Sequence, residues 1–172
     1  MAHDAVHELI CKAEITRLIH TYPRGLDRLD RELLLSMAHD SATVDFPPLF
    51  SGSWADYVAF LMKAHTSMLY NRHSMSNILV ALKGEGAVSE TSATAHLIVK
   101  RDDGAIEERT VHTRYLDRWR CDDGRWSLAH RRTIRDYRQV RIVTAAELAA
   151  TTEYVNAGAV GRSDPSYAHF GE

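Results

Sequence analysis

Between residues 76 and 142 the chain alternates apolar and polar positions with period two through four long segments, and this pattern limits the fold more than any other feature. The segments run 76–82, 87–100, 106–120 and 125–142. Between them stand Lys83-Gly84-Glu85-Gly86, Arg101-Asp102-Asp103-Gly104 and Cys121-Asp122-Asp123-Gly124. Each carries the Gly or Asp-Gly chemistry that closes a tight hairpin. Strands of this length joined this closely predict a meandering antiparallel sheet.

What precedes the sheet reads mostly as helix. Residues 6–27 place Leu9, Ala13, Leu18 and Ile19 at roughly helical spacing, and Pro23 is expected to kink or end that helix near Tyr22. Asp30 suits an N-cap for a short helix through Leu33, Leu34 and Met37. A brief strand over 42–46 is closed by Pro47-Pro48. Ser53 then caps a helix with Trp54, Tyr57, Val58, Leu61, Met62 and Met68 on its apolar side. Helices followed by a meander predict an α+β fold, in which a strongly twisted sheet wraps the N-terminal helices and leaves a cone-shaped cavity. Residues 1–143 are expected to form this domain. Residues 144–172 are expected to form a C-terminal helix and tail, with Tyr154, Tyr167 and Phe170 closing over the cavity or a neighbouring subunit. Gly158, Gly161 and Pro165 suit that tail to act as a lid.

A chain of 172 residues supplies one full core. Its net charge of −2 offers no general field for nucleic acid or anionic lipid. The run from Arg131 to Arg138 splits its charges between two strand faces, which argues against a nucleic-acid strip. Nothing approaches the ~20 apolar residues of a membrane span. Met1-Ala2-His3-Asp4 does not open an export signal, and Cys11 and Cys121 have no metal-ligand spacing, so a cytoplasmic setting is expected. The ten histidines show no tight ligand spacing, and no glycine loop for a nucleotide is present; neither metal nor cofactor is expected.

Two residues break local rules. Asp27 ends Tyr22-Pro23-Arg24-Gly25-Leu26-Asp27, where a carboxylate faces the negative end of the helix dipole. Gly25 beside it weakens the helix further. His73 lies in Asn71-Arg72-His73-Ser74-Met75-Ser76-Asn77, where the helical pattern gives way to strand. Such violations gather at functional sites. An Asp that orients a His and stabilises its charged form makes a general base. Strand parity puts His73, Met75 and Asn77 on one face. It puts Ser127, Ala129, Arg131, Thr133, Arg135 and Tyr137 on one face of the last strand, and Trp126, Leu128, His130, Arg132 and Ile134 on the other.

A helix ending in Gly-x-Asp, then His-x-x-x-Asn, then an Arg in the last strand after Asp-Gly-x-Trp resembles the SnoaL-like branch of the NTF2-like superfamily, over roughly residues 6–137. Its members include hexachlorocyclohexane dehydrochlorinases, bile-acid dehydratases and, more distantly, scytalone dehydratase. The resemblance implies that Asp27 and His73 form the dyad, that Arg131 (or Arg132, one register away) stabilises charge, and that Tyr22 and Tyr115 line the site. With Trp54 and Asn77 as further substrate contacts, these residues suit a β-elimination on a small apolar or aromatic molecule: loss of water first, with halide or formaldehyde served by the same base. The resemblance also implies a homo-oligomer, a trimer associating through the outer sheet face, where Trp126, Leu128 and Ile134 are expected. An isomerase or cyclase of the same fold, or a non-catalytic ligand-binding or assembly subunit, stays open beside the lyase.

Overall fold

The computed structural model describes residues 2–152 and 158–171. The chain runs α1 (Ala2–Asp27), α2 (Arg31–Ser36), β1 (Ala38–Phe46), β2 (Phe50–Ser53), α3 (Trp54–Thr66), β3 (Met68–Lys83), β4 (Gly86–Lys100), β5 (Ile106–Asp122) and β6 (Arg125–Val143). After these come α4 (Ala145–Thr152), a 3₁₀ turn (Gly161–Ser163) and α5 (Pro165–Phe170). The six strands form one open, curved sheet in the order β2-β1-β6-β5-β4-β3. All neighbours pair antiparallel except β1 with β6, which is parallel. This is the α+β architecture expected, with the four-strand meander ending on β3 as a free edge. The β5–β6 turn places Asp123 and Gly124 at φ 50° and 78°, the two successive positive values that a tight primed turn demands.

On α1, Cys11, Ile15, Leu18, Ile19, Tyr22 and Leu26 are buried at intervals of three and four. Leu9 and Ala13, expected on that face, are exposed. The stripe from Cys11 to Leu26 is longer and bulkier than one passing through Leu9, so it decides which way the helix rolls. The helix also continues through Pro23 rather than stopping there. Losing a backbone bond at an internal proline costs about 3 kcal/mol. Tyr22 and Leu26 on either side are each 1% exposed, and burying such side chains returns roughly 1.5–3 kcal/mol apiece. Gly25 has a packing role: a Cβ there would lie 2.8 Å from Leu34 Cγ, so its bareness lets α2 close against α1.

Both caps read from the sequence are present. Leu33 N–H donates to Asp30 Oδ1 at 2.9 Å, and Asp56 N–H donates to Ser53 Oγ at 3.1 Å. The strands differ more. β1 begins before residue 42, β2 is unforeseen, and β3 starts at Met68 rather than at 76, taking Met68 out of the helix. Leu69 and Tyr70 are exposed there, which hides the alternation. His73 therefore stands inside a strand, not at its mouth.

Two bulges overturn the parity arguments. In β3 the pairing with β4 slips between Ser76 and Leu79, and Asn77 sits in the slip at φ 48°, exposed. The inward face passes from His73 and Met75 to Ile78, Val80 and Leu82, leaving Asn77 off it. In β6, Leu128 pairs with Trp119 and His130 with Arg118, so Ala129 is the extra residue. Leu128 and Arg131 consequently share the inner face although three residues apart. Trp126 and Leu128, expected on the outside, are 8% and 0% exposed in the core, while Ile134 is half-buried opposite Arg114. Arg131 points in and Arg132 is exposed. No helix among the described residues is long and apolar enough to cross a membrane. At the C-terminal end Tyr167 is buried and Phe170 exposed, and Tyr154 lies outside the described residues.

Candidate active site

Because β3 is an edge strand, the N–H groups on its free side need partners from outside the sheet. The end of α1 supplies one. His73 N–H donates to both carboxylate oxygens of Asp27, at 3.1 and 3.0 Å, and His73 Nδ1 lies 2.7 Å from Asp27 Oδ1. An ionised carboxylate only accepts, so the ring nitrogen facing it carries the proton and Nε2 holds the free lone pair. Asn71 ties the same junction together, its Nδ2 donating at 3.2 Å to the carbonyl of Leu26 in the last turn of the helix, which also accepts from Leu29 N–H at 3.3 Å. The backbone and side-chain bonds from His73 compensate a carboxylate that the helix dipole disfavours. The side chains of His73 and Asp27 are 6% and 13% exposed, enough shielding to make their bond count.

A second histidine lies against the first. His65, on the buried side of α3, has its ring centroid 5.5 Å from that of His73. Burial first, and the neighbouring His73 second, push its pKa down from 6.5 to about 4. It is neutral at ordinary pH and does not compete for the proton between His73 and Asp27. In the unfolded chain this ring titrates near 6.5, so as pH falls from there towards 4 the unfolded state takes up a proton that the folded state refuses. The stabilisation is complete above pH 6.5 and is lost through that window, by on the order of 3 kcal/mol. The carboxylates held below their usual range, Asp164 among them, contribute only at lower pH. Urea midpoints measured between pH 6.5 and 4.5 should fall steeply for the wild type and much less for His65→Leu. Equal slopes would assign the effect to another group.

Arg131 is the centre of a separate interior cluster. Its Nε and Nη2 each donate to Asp117 at 2.8 Å, across the β5–β6 pair, and neither side chain is more than 1% exposed. The guanidinium lies against the rings of Tyr22 and Tyr115, 4.3 and 4.2 Å from their centroids, with Trp54 at 5.7 Å. Burial alone would lower the arginine's pKa, but Asp117 outweighs it and raises it. Nη1 is buried without a hydrogen-bond partner among the described residues. Burial, then the neighbouring phenols, raises the pKa of Tyr22, Tyr57 and Tyr115, so all three hydroxyls stay protonated and able to donate.

Of the expected site residues, Asp27 and His73 meet in one contact, and Arg131, Tyr22, Tyr115 and Trp54 meet in another. Helix α1 carries a member of each: Tyr22 and Asp27 are five residues apart, a rise of about 7.5 Å. Asn77 joins neither group. Sequence reasoning missed His65, Asn71, Tyr57 and Asp117. Tyr57 and His65 fall on the α3 stripe with Trp54, Val58 and Leu61, and Asp117 lies midway between the buried Tyr115 and Trp119, so in each case a polar atom on an apolar face was the available signal.

The SnoaL-like domain family matches residues 7–132. No curated protein matches the chain. Among solved structures, a candidate scytalone dehydratase from Novosphingobium aromaticivorans superposes with a TM-score of 0.68 at 20% identity, over 84% of this chain and 95% of that one. A hexachlorocyclohexane dehydrochlorinase, LinA type 3, from Novosphingobium barchaimii gives 0.70 at 13% identity, over 82% and 95%. The Kfla4162 protein from Kribbella flavida gives 0.65 at 20% identity, over 80% and 95%. These likenesses establish a shared fold, the cone of helices in a curved sheet.

Proposed function

Because the chain belongs to the SnoaL-like domain family, we propose that it is a cofactor-independent lyase in which Asp27 and His73 act as the general base of a β-elimination. The observation that carries this reading is the 2.7 Å bond between His73 Nδ1 and Asp27 Oδ1. It fixes the tautomer that leaves Nε2 ready to take a proton, and places a carboxylate beside the imidazolium that then forms. The electron pair of the broken C–H bond becomes the new double bond, and a group on the adjacent carbon departs. Arg131 Nη1 and the protonated phenols of Tyr22, Tyr57 and Tyr115 are the donors suited to a departing oxygen, which favours dehydration over loss of halide. Tyr22, Trp54 and Tyr115 offer aromatic surface, in keeping with an apolar or aromatic substrate. Two of the structural neighbours are named for eliminations, a dehydrochlorinase and a candidate dehydratase.

The test is a mass-spectrometric screen of racemic aryl carbinols, aryl diols, β-hydroxy ketones and alkyl halides. Loss of water, halide or formaldehyde with wild-type protein names the leaving group. Products of unchanged mass and altered retention would replace the lyase with an isomerase. Saturable binding without conversion would replace it with a ligand-binding subunit.

A further inference from the structure

Residues 158–171 are not spent on the site just described, and they lie outside the span matched by the family. They make a dense set of contacts with one place, the corner between α1 and α2. We propose that this C-terminal segment is a positioning brace for Asp27, acting through Arg24, Arg28 and Asp30. The proposal rests on the reading of Asp27 and His73 as the base.

The corner needs holding. Asp27 is the last residue of α1, and helix ends fray. Two residues later Leu29 adopts φ 53°, a left-handed conformation that costs a leucine roughly 1–2 kcal/mol. Within the corner, Asp30 N–H donates to the Gly25 carbonyl at 2.8 Å, and Asp30 Oδ1 caps α2.

The C-terminal segment adds contacts on both sides of Asp27. Gly161 N–H donates to the Arg28 carbonyl at 2.6 Å, and Arg28 Nε lies 3.2 Å from Asp164 Oδ1. Tyr167 OH donates to Asp30 Oδ2 at 2.7 Å, so one carboxylate both caps α2 and receives the tail. The guanidinium of Arg24 covers the rings of Tyr167 and Phe170, 4.7 and 4.9 Å from their centroids. Residues 24, 28 and 30 thus face the tail, while Asp27 between them faces β3. The segment is itself built to stay in place. Asp164 receives the N–H groups of Ala159 and Ser166, both at 3.0 Å, and Asp164 and Tyr167 are 4% and 2% exposed. Hydrogen bonds from Ser166 and the backbone hold Asp164 well below the usual carboxylate range, so it stays charged toward Arg28.

The contact to be held has its own reporter, because the backbone N–H of His73 donates to the Asp27 carboxylate. Amide hydrogen exchange is measured on the full chain and on Tyr167→Phe, with the amides of β5, in the middle of the sheet, reporting global opening. A brace predicts that His73 exchanges about tenfold faster in Tyr167→Phe, equivalent to ~1.4 kcal/mol of local stability, while β5 does not change. Arg28→Met should act in the same direction. An unchanged rate at His73 in both variants would overturn the proposal, and so would equal acceleration in β5, which is what general destabilisation produces. Asp27→Ala separates this outcome from failure of the base reading. If His73 stays protected in that variant, the Asp27–His73 contact is not what shields it, and the dyad fails whatever the tail does.

Discussion

Replacing His73 by Ala should lower kcat by about 10²–10⁴-fold on the substrate that the screen identifies, the usual contribution of a positioned general base. KM should change little, because the ring acts on a proton in the transition state rather than on the bound molecule as a whole. Asp27→Asn should give a loss of similar kind, since an amide can neither hold the same tautomer in place nor balance an imidazolium. The decisive comparison is the double variant. Two groups that work as one unit are not additive, so the pair should be no slower than His73→Ala alone. If the two losses multiply instead, the residues act independently, and the 2.7 Å bond between them is not the source of the base.

The largest expected effect on stability lies elsewhere. Asp117→Ala should destabilise the fold by about 3–5 kcal/mol, because it leaves the Arg131 guanidinium buried against Tyr22 and Tyr115 with no countercharge. Adding Arg131→Met to that variant should recover much of the loss, as removing both members of a buried pair is far milder than removing one. Urea denaturation of the three variants checks this. A cost below about 1 kcal/mol for Asp117→Ala would mean that water reaches Arg131, contrary to its 1% exposure. The ion pair also bears on function. With Nε and Nη2 committed to Asp117, Nη1 is the nitrogen that the proposed elimination would have to use, and its direction is set by the pair.

The meander was legible because each turn states its backbone conformation in its residues and each strand states its faces by alternation. Asp30 and Ser53 were legible as caps for the same reason, a local geometry with a local signature. Asp27 and His73 stood out as violations of such rules, and the structure joins them. What escaped the sequence depends on distant partners. Pro23 stays helical because of what Tyr22 and Leu26 bury, and that is decided by the sheet. Gly25 looked like a concession to function and is a concession to Leu34. His65 looked like one histidine among ten until α3 laid it on His73.

The Ala129 bulge carries a consequence for how chains of this kind are compared. On a regular strand, side chains separated by an odd number of residues point to opposite faces, and Leu128 and Arg131 would be divided between core and solvent. One surplus residue changes the phase. Deleting Ala129 would bring Leu128 and Arg131 to two residues apart, so Arg131 and Thr133 would keep the inner face of a now regular strand, each one count nearer to Trp126. Position along β6 is therefore a poor guide to equivalence between relatives. An arginine at the same count from Trp126 is the counterpart of Arg131 only in a chain that carries the same surplus residue, and one that lacks it would present its inward arginine one place earlier.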